Sequence, residues 1–178
     1  MGDGSEPPES EMPKATAALD IAEINSPRIH RLFAYWQAQQ RFRDGSLPRR
    51  SDIAPDQIKD LLPNVMIVDV EHDPLRFRYR LVGTSVVEYN GLEFTGRYLG
   101  DIGWPEEQEL LDSYVEVVSS RKPVFGSLAW KLTTGAVGRC EFARLPLSED
   151  GTVVSRILAM EDYDFPRFDA LPSEGEAS

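Results

Sequence analysis

The apolar positions of this chain change their spacing as the sequence advances, and each change marks the edge of an element. Ile29, Leu32, Phe33 and Trp36 recur at the spacing of one helix face, behind a Ser26-Pro27 start and ahead of an Asp44-Gly45 stop. The connector "LPRRSDI" (47–53) follows, then a short helix from Pro55 with Ile58, Leu61 and Leu62 on one side, ended by Pro63. "VMIVDV" (65–70) is continuously apolar and largely β-branched, as suits a strand covered on both faces. "EHDP" turns the chain into "RFRYRLV" (76–82), so the two runs predict a hairpin. A short helix from Thr84 ends at Asn90-Gly91, a left-handed exit, and 92–102 reads as loop. Residues 105–122 carry the clearest helix pattern in the chain, with Pro105 at its start, acids early and Arg121-Lys122 late. Its apolar stripe reads Leu111, Tyr114, Val115 and Val118. The runs 124–132, 138–147 and 152–161, parted by "TTGAVG" and "SEDG", predict a three-stranded meander.

Two strands, a helical insert and three further strands make an α+β domain. The expected sheet is antiparallel and five-stranded, with the helical insert on one face and an added N-terminal helix. A concavity between sheet and insert is where such a domain holds a ligand. The expected organisation is an acidic disordered tail over 1–25, an N-terminal helical extension over 26–63, the sheet domain over 64–162 and an acidic tail over 163–178. Charge supports the two tails: most of the net −11 lies at the ends, and the middle is close to neutral. An acidic field of this kind opposes a phosphate backbone, which argues against nucleic acid.

The single cysteine, Cys140, excludes an internal disulfide and fits a reducing compartment. No apolar run reaches the length that a membrane span needs, and the N-terminus lacks the pattern of a secretion signal. The expectation is a cytoplasmic protein without a membrane partner.

The stretches "YWQAQQRFRDGSLPRRSDIAP" (35–55), "LLPNVMIVDVEHDPLRFRYRLVGTSV" (61–86), "EFTGRYLGDI" (93–102) and "RKPVF" (121–125) resemble the PAS domain family. The nearest resemblance is to stand-alone proteobacterial PAS-type proteins with an extra N-terminal helix. "RYRLVGT" combined with "TGRYL" and an upstream P-R-x-S-D-I carries it. The resemblance implies a sensor or adaptor in bacterial signal transduction. Such a protein binds a small molecule in the sheet–helix cavity, an unknown signalling protein, or a second copy of itself as a homodimer.

Candidate residues follow. The flap over 83–104 is rich in glycine and aromatics, and with the neighbouring strand and helix it nominates Tyr79, Leu81, Tyr89, Leu92, Arg97, Trp104 and Tyr114 as pocket residues. Ile29, Leu32, Phe33 and Trp36 on the N-terminal helix, with Arg76, Arg78 and Arg80 on the arginine strand, are interface candidates. Strand alternation puts Phe77, Tyr79 and Leu81 on the core side and the guanidiniums outside, so the strand is no base-stacking platform. Against these readings stands a plain one, in which the helix packs on its own sheet and the arginines are merely its wet side.

Cofactor chemistry is limited by residue supply. A haem-binding PAS domain uses an axial histidine, and here His30 lies on the N-terminal helix and His72 in the hairpin turn. A light-sensing flavin site needs a cysteine in the helical insert, whereas Cys140 is on a late strand and reads as a small buried hydrophobe. Two scattered histidines and one cysteine do not make a zinc site. No nucleophile–base or phosphate-loop motif is present, so the protein reads as non-enzymatic. The readings carried forward are a ligand sensor, a ligand-free adaptor or dimerisation module, and a small cavity enzyme using a buried carboxylate.

Overall fold

The computed structural model describes residues 16–104, 107–131 and 137–163. The expected tails before residue 16 and after 163, the helix start at Pro105 and most of the "TTGAVG" turn lie outside the described residues. In chain order the elements are β1 (Thr16–Leu19), α1 (Pro27–Phe42), β2 (Val65–Glu71), β3 (Arg76–Val82), α2 (Thr84–Asn90), α3 (Glu107–Ser120), β4 (Val124–Lys131), β5 (Val137–Leu147) and β6 (Arg156–Asp162). The strands form one antiparallel sheet in the order β1-β4-β5-β6-β2-β3. The protein is therefore α+β, as expected, with helices on both faces of the sheet. Among the described residues no helix is long and apolar enough to cross a membrane.

The sheet has six strands where five were expected, because β1 comes from the segment read as a disordered tail over 1–25. Thr16–Leu19 pairs with the edge of β4, Thr16 opposite Leu128 and Leu19 opposite Phe125. The acids that suggested disorder have local work to do. Asp20 caps a 3-10 turn over Ile21–Glu23 by accepting from Ala22 N at 2.9 Å, and Glu23 Oε2 accepts from Asp20 N at 2.8 Å. The short helix expected from Pro55 is likewise 3-10, over Pro55–Ile58, with a second such turn over Leu62–Asn64.

α1 covers the outer face of the sheet. Ile29, Leu32 and Trp36 are buried, Phe33 packs edge-on against Phe125 at 5.0 Å, and Trp36 Nε1 donates to Pro146 O at 3.0 Å. Ile29, Leu32 and Trp36 thus belong to the protein's own core and the partly buried Phe33 packs against it, so their nomination as an interface is corrected: without α1 an apolar row across β4, β5 and β6 would face water. The helix is anchored at its N-terminus, where Ser26 caps it by accepting from Ile29 N at 3.1 Å. Two buried carboxylates of the sheet lie at this positive end. Glu141 accepts from the backbone N–H groups of Asn25 and Ser26, and Asp162 accepts from Ser26 Oγ at 2.6 Å and Arg28 Nη1 at 2.9 Å.

The arginine strand β3 is an edge, and Arg76, Arg78 and Arg80 are exposed. Arg76 pairs with Asp101 at 3.0 Å and Arg80 with Asp69 at 2.6 Å, while Arg78 Nε donates to Gly96 O at 3.2 Å. The edge itself is blunted by the flap. Tyr79 N donates to Arg97 O at 3.0 Å and Leu99 N to Phe77 O at 2.9 Å, which occupies ladder groups that would otherwise invite another strand. Alternation along β3 breaks at one place. Ile67 faces Leu81 and the next residue, Val68, faces Tyr79, so Arg80 is a bulge. Leu81 consequently turns to the outer face and is 44% exposed, against the expectation that it lines the core with Tyr79.

Candidate functional site

On the inner face, α2, the flap over 92–104 and α3 roof over β2, β3, β5 and β6. The flap is tied down from one point: the Glu107 carboxylate accepts from Gly100 N at 2.7 Å, Ile102 N at 3.2 Å and Gly103 N at 2.9 Å. Gly100 and Gly103 both have positive φ, which lets their N–H groups converge on that carboxylate. α3 buries Leu110, Ser113, Tyr114 and Val117, one position back from the stripe read in the sequence, and Val115 faces solvent.

Between roof and sheet lies a cavity of about 70 Å³. Met66, Phe94, Trp104, Leu110 and Leu128 supply its apolar wall, and Tyr79, Asn90, Glu161 and Tyr163 gather at its polar side. The wall is rigid through edge-on aromatic contacts, Tyr79 to Phe94 at 4.7 Å and Phe94 to Trp104 at 5.1 Å. The polar side is a hydrogen-bonded chain. Asn90 Nδ2 donates to Tyr163 Oη at 3.2 Å, Tyr163 donates to Glu161 Oε2 at 2.7 Å, and Arg144 Nη2 donates to Glu161 Oε1 at 2.8 Å.

Arg144 has no exposed surface and is held between two rings, its guanidinium carbon 4.6 Å from the centroid of Tyr114 and 4.5 Å from that of Phe142. Burial works against its charge, but neighbouring Tyr114 and Glu161 outweigh that and hold its pKa above the ordinary guanidinium value. Burial raises Tyr79 and, with Glu161 beside it, Tyr163. Burial also pushes the Cys140 thiol up, so it stays protonated and unreactive as the small hydrophobe expected. His30 Nε2 lies 2.7 Å from Ile24 O and His72 Nε2 3.0 Å from Val154 O, both away from the cavity. Among the described residues no group of three or more His, Cys, Asp and Glu is placed to hold a metal ion.

Tyr114 is pushed up to about 12 by burial, and among the described residues its buried hydroxyl makes no hydrogen bond of ordinary geometry, the Tyr79 side chain being at most a weak partner. Two consequences follow for Tyr114→Phe, read by urea unfolding. At pH 7 the change costs nothing or adds up to about 1 kcal/mol, because an unsatisfied buried polar group is removed and the ring under Arg144 stays. Above pH 10 the tyrosine's folded pKa exceeds its unfolded one, so native protein binds more protons and loses stability as pH rises. Tyr114→Phe flattens that alkaline loss. A loss above 2 kcal/mol at pH 7 would mean the hydroxyl has a partner.

Of the seven pocket nominees, Tyr79 and Trp104 line the cavity and Tyr114 packs beneath it, 6.4 Å from the Tyr79 ring. Tyr89 stacks on Tyr163 at 3.9 Å from outside the lining, and Leu92 is half-buried away from it. Arg97 is exposed and contributes only backbone, while Leu81 is on the opposite face. Sequence reasoning missed Asn90, Glu161, Tyr163 and Arg144. Arg144 had a visible signal, since in "CEFAR" it shares the apolar alternation of Cys140 and Phe142.

A family model described as "PAS domain" matches residues 24–160. No curated protein matches the chain. Among solved structures, an RNA-binding light-oxygen-voltage receptor is 14% identical over 64% of this chain and 33% of its own, with TM-score 0.44. This chain therefore spans about a third of that receptor. A light-oxygen-voltage domain studied with a flavin analogue is 14% identical over 61% of this chain and 82% of its own, with TM-score 0.47. The PAS domain of a protein from Colwellia psychrerythraea is 12% identical over 63% of this chain and 98% of its own, with TM-score 0.43. Matched by the family model along most of its length, the chain belongs to the PAS domain family, a family of sensor and signalling modules.

Proposed function

We propose that the protein is a sensor that binds a small, mostly apolar molecule with one hydrogen-bond donor in the inner cavity. One observation carries the reading: an aromatic-walled hollow whose polar side is a single ion-paired carboxylate, Glu161, flanked by Asn90 and Tyr163. An ionised carboxylate has about four lone-pair sites, and Arg144 and Tyr163 use two. A ligand hydroxyl or amide N–H can take another while its body lies against Phe94 and Trp104. Tyr163 then carries the event outward, because it bonds Asn90 of α2 and stacks on Tyr89 of the same helix. The reading is of a binder: the cavity's carboxylate is already paired, and among the described residues that line it there is no serine, cysteine or histidine.

A partner-binding reading now rests on the arginine strand, since the α1 stripe is internal, and Arg76 and Arg80 are already paired within the chain. The sensor reading is tested by mass spectrometry of the denatured protein for a co-purified molecule, and by melting with a panel of small alcohols and amides. A ligand at 100 times its Kd stabilises by about 2.7 kcal/mol, a rise of roughly 5–10 °C in a chain of this size. Leu128→Phe, which fills the wall, abolishes the rise. A clean mass spectrum together with no shift across the panel would reject the reading.

A further inference from the structure

The outer face holds a second hollow that the sensor reading does not use. It has a volume of about 140 Å³, twice that of the inner cavity, and lies between the sheet and the 3-10 turns of the connector. Ile53 and Ile58 come from the connector, Val65, Ile67 and Leu158 from the sheet, and Leu81 from the bulged end of β3. The bulge at Arg80 is what turns Leu81 into this wall, and bulges commonly re-aim a side chain beside a site. Four of these residues, Ile53, Ile58, Val65 and Leu158, are at most 4% exposed, so the hollow is a formed feature of the core's edge.

Its chemistry is lopsided. Water inside would find almost no partners, and a hollow of about 150 Å³ lined by Leu, Ile and Phe is known to stay dry and to admit a benzene-sized molecule. Among the described residues, the one charged group in the lining is Arg50. That side chain is half-buried, its Nη1 donates to Ile53 O at 3.1 Å, and among the described residues it forms no ion pair. The nearest carboxylate in sequence, Asp52, is committed elsewhere, to Arg43 at 3.3 Å and to Arg49 N at 2.8 Å. A guanidinium so placed has free donors in the planar arrangement that suits a carboxylate.

We infer that this outer hollow binds a small amphipathic carboxylate, with its apolar tail among Ile53, Ile58, Ile67 and Leu81 and its head on Arg50. A short acyl chain or a single ring matches the volume, and the anionic head supplies the counter-charge that the chain lacks there.

The test is an NMR titration of the full chain, methyl-labelled at Ile, Leu and Val, with sodium hexanoate and in parallel with 1-hexanol. Hexanoate is expected to shift the methyls of Ile53, Ile58, Ile67 and Leu81 saturably, and to bind about tenfold tighter than hexanol. Arg50→Met removes that preference and leaves hexanol binding unchanged. Leu81→Trp, at a position open to solvent, fills the hollow and removes both shifts, which keeps the test decisive if Arg50→Met fails to fold. Shifts confined to Leu110 and Leu128 of the inner cavity, no saturating shift, or equal binding of hexanoate and hexanol would each overturn the inference.

Discussion

Replacing Arg144 by Met is expected to cost about 3–5 kcal/mol of folding stability, read as a fall in the urea midpoint at unchanged slope. The size follows from what is left behind. Arg144 is fully buried and its Nη2 lies 2.8 Å from Glu161 Oε1, a carboxylate only 10% exposed. Without the guanidinium, Glu161 retains, among the described residues, only the Tyr163 hydroxyl as a side-chain partner in the surroundings where an unpaired charge is most expensive. Backbone oxygens of Ala143 and Met160, each 3.3 Å from Nη1, lose a donor as well. Lys is no substitute, because a single ammonium cannot lie flat between the Tyr114 and Phe142 rings while reaching Glu161. The double variant Arg144→Met with Glu161→Leu is the informative partner. It removes both charges at once and is expected to recover most of the loss, since buried ion pairs are often no more stable than apolar replacements. A single variant within 1 kcal/mol of the parent would show that the pair does not hold the inner face.

The pair also marks the limit of what the sequence made legible. Elements set by neighbours in sequence were readable: the hairpin of β2 and β3, the α2 exit at Gly91, where φ is +63°, and the span of α3. Each depends on a period or a turn residue within a few positions. The features that sequence reading missed depend on distant partners. β1 forms because Thr16–Leu19 meets a free edge more than a hundred residues away. Leu81 changes faces because a bulge adds one residue, Arg80, to β3 opposite the step from Ile67 to Val68, and a single added residue reverses every later side chain. The stripe on α1 was visible, but whether it met its own sheet or another protein depended on an apolar row assembled from β4, β5 and β6. Four of the seven pocket nominees, Leu81, Tyr89, Leu92 and Arg97, failed for the same reason: aromatics in the flap were easy to name, while the polar side came from Asn90, Glu161 and Tyr163, brought together only by the fold.

Gly83→Ala is expected to lower stability by about 3 kcal/mol or more, roughly 6–12 °C in melting temperature for a chain of this size. The reason is not conformational freedom, since φ is −65° and ψ is 152°, which any residue adopts. It is space. A Cβ at this position would stand 2.3 Å from Pro63 O and 2.6 Å from Leu62 O, backbone atoms of the 3-10 turn that leads into β2. Gly83 N is meanwhile fixed to Val65 O at 2.8 Å, so the glycine cannot back away without releasing the sheet. Gly91→Ala is the control: nothing lies within 4 Å of its added Cβ, and the left-handed φ alone costs about 1 kcal/mol. The larger variant also bears on the site, because Gly83 starts the helix that carries Tyr89 and Asn90. Pushing α2 off the turn over Leu62–Asn64 strains the Asn90–Tyr163 bond and the Tyr89–Tyr163 stack together, at the corner where the cavity meets the end of β6. Trp104 fluorescence reports the cavity from its other wall, and it is expected to change in Gly83→Ala and to stay constant in Gly91→Ala. Equal melting temperatures for the two variants would show that the turn yields, and that the start of α2 is not fixed by this contact.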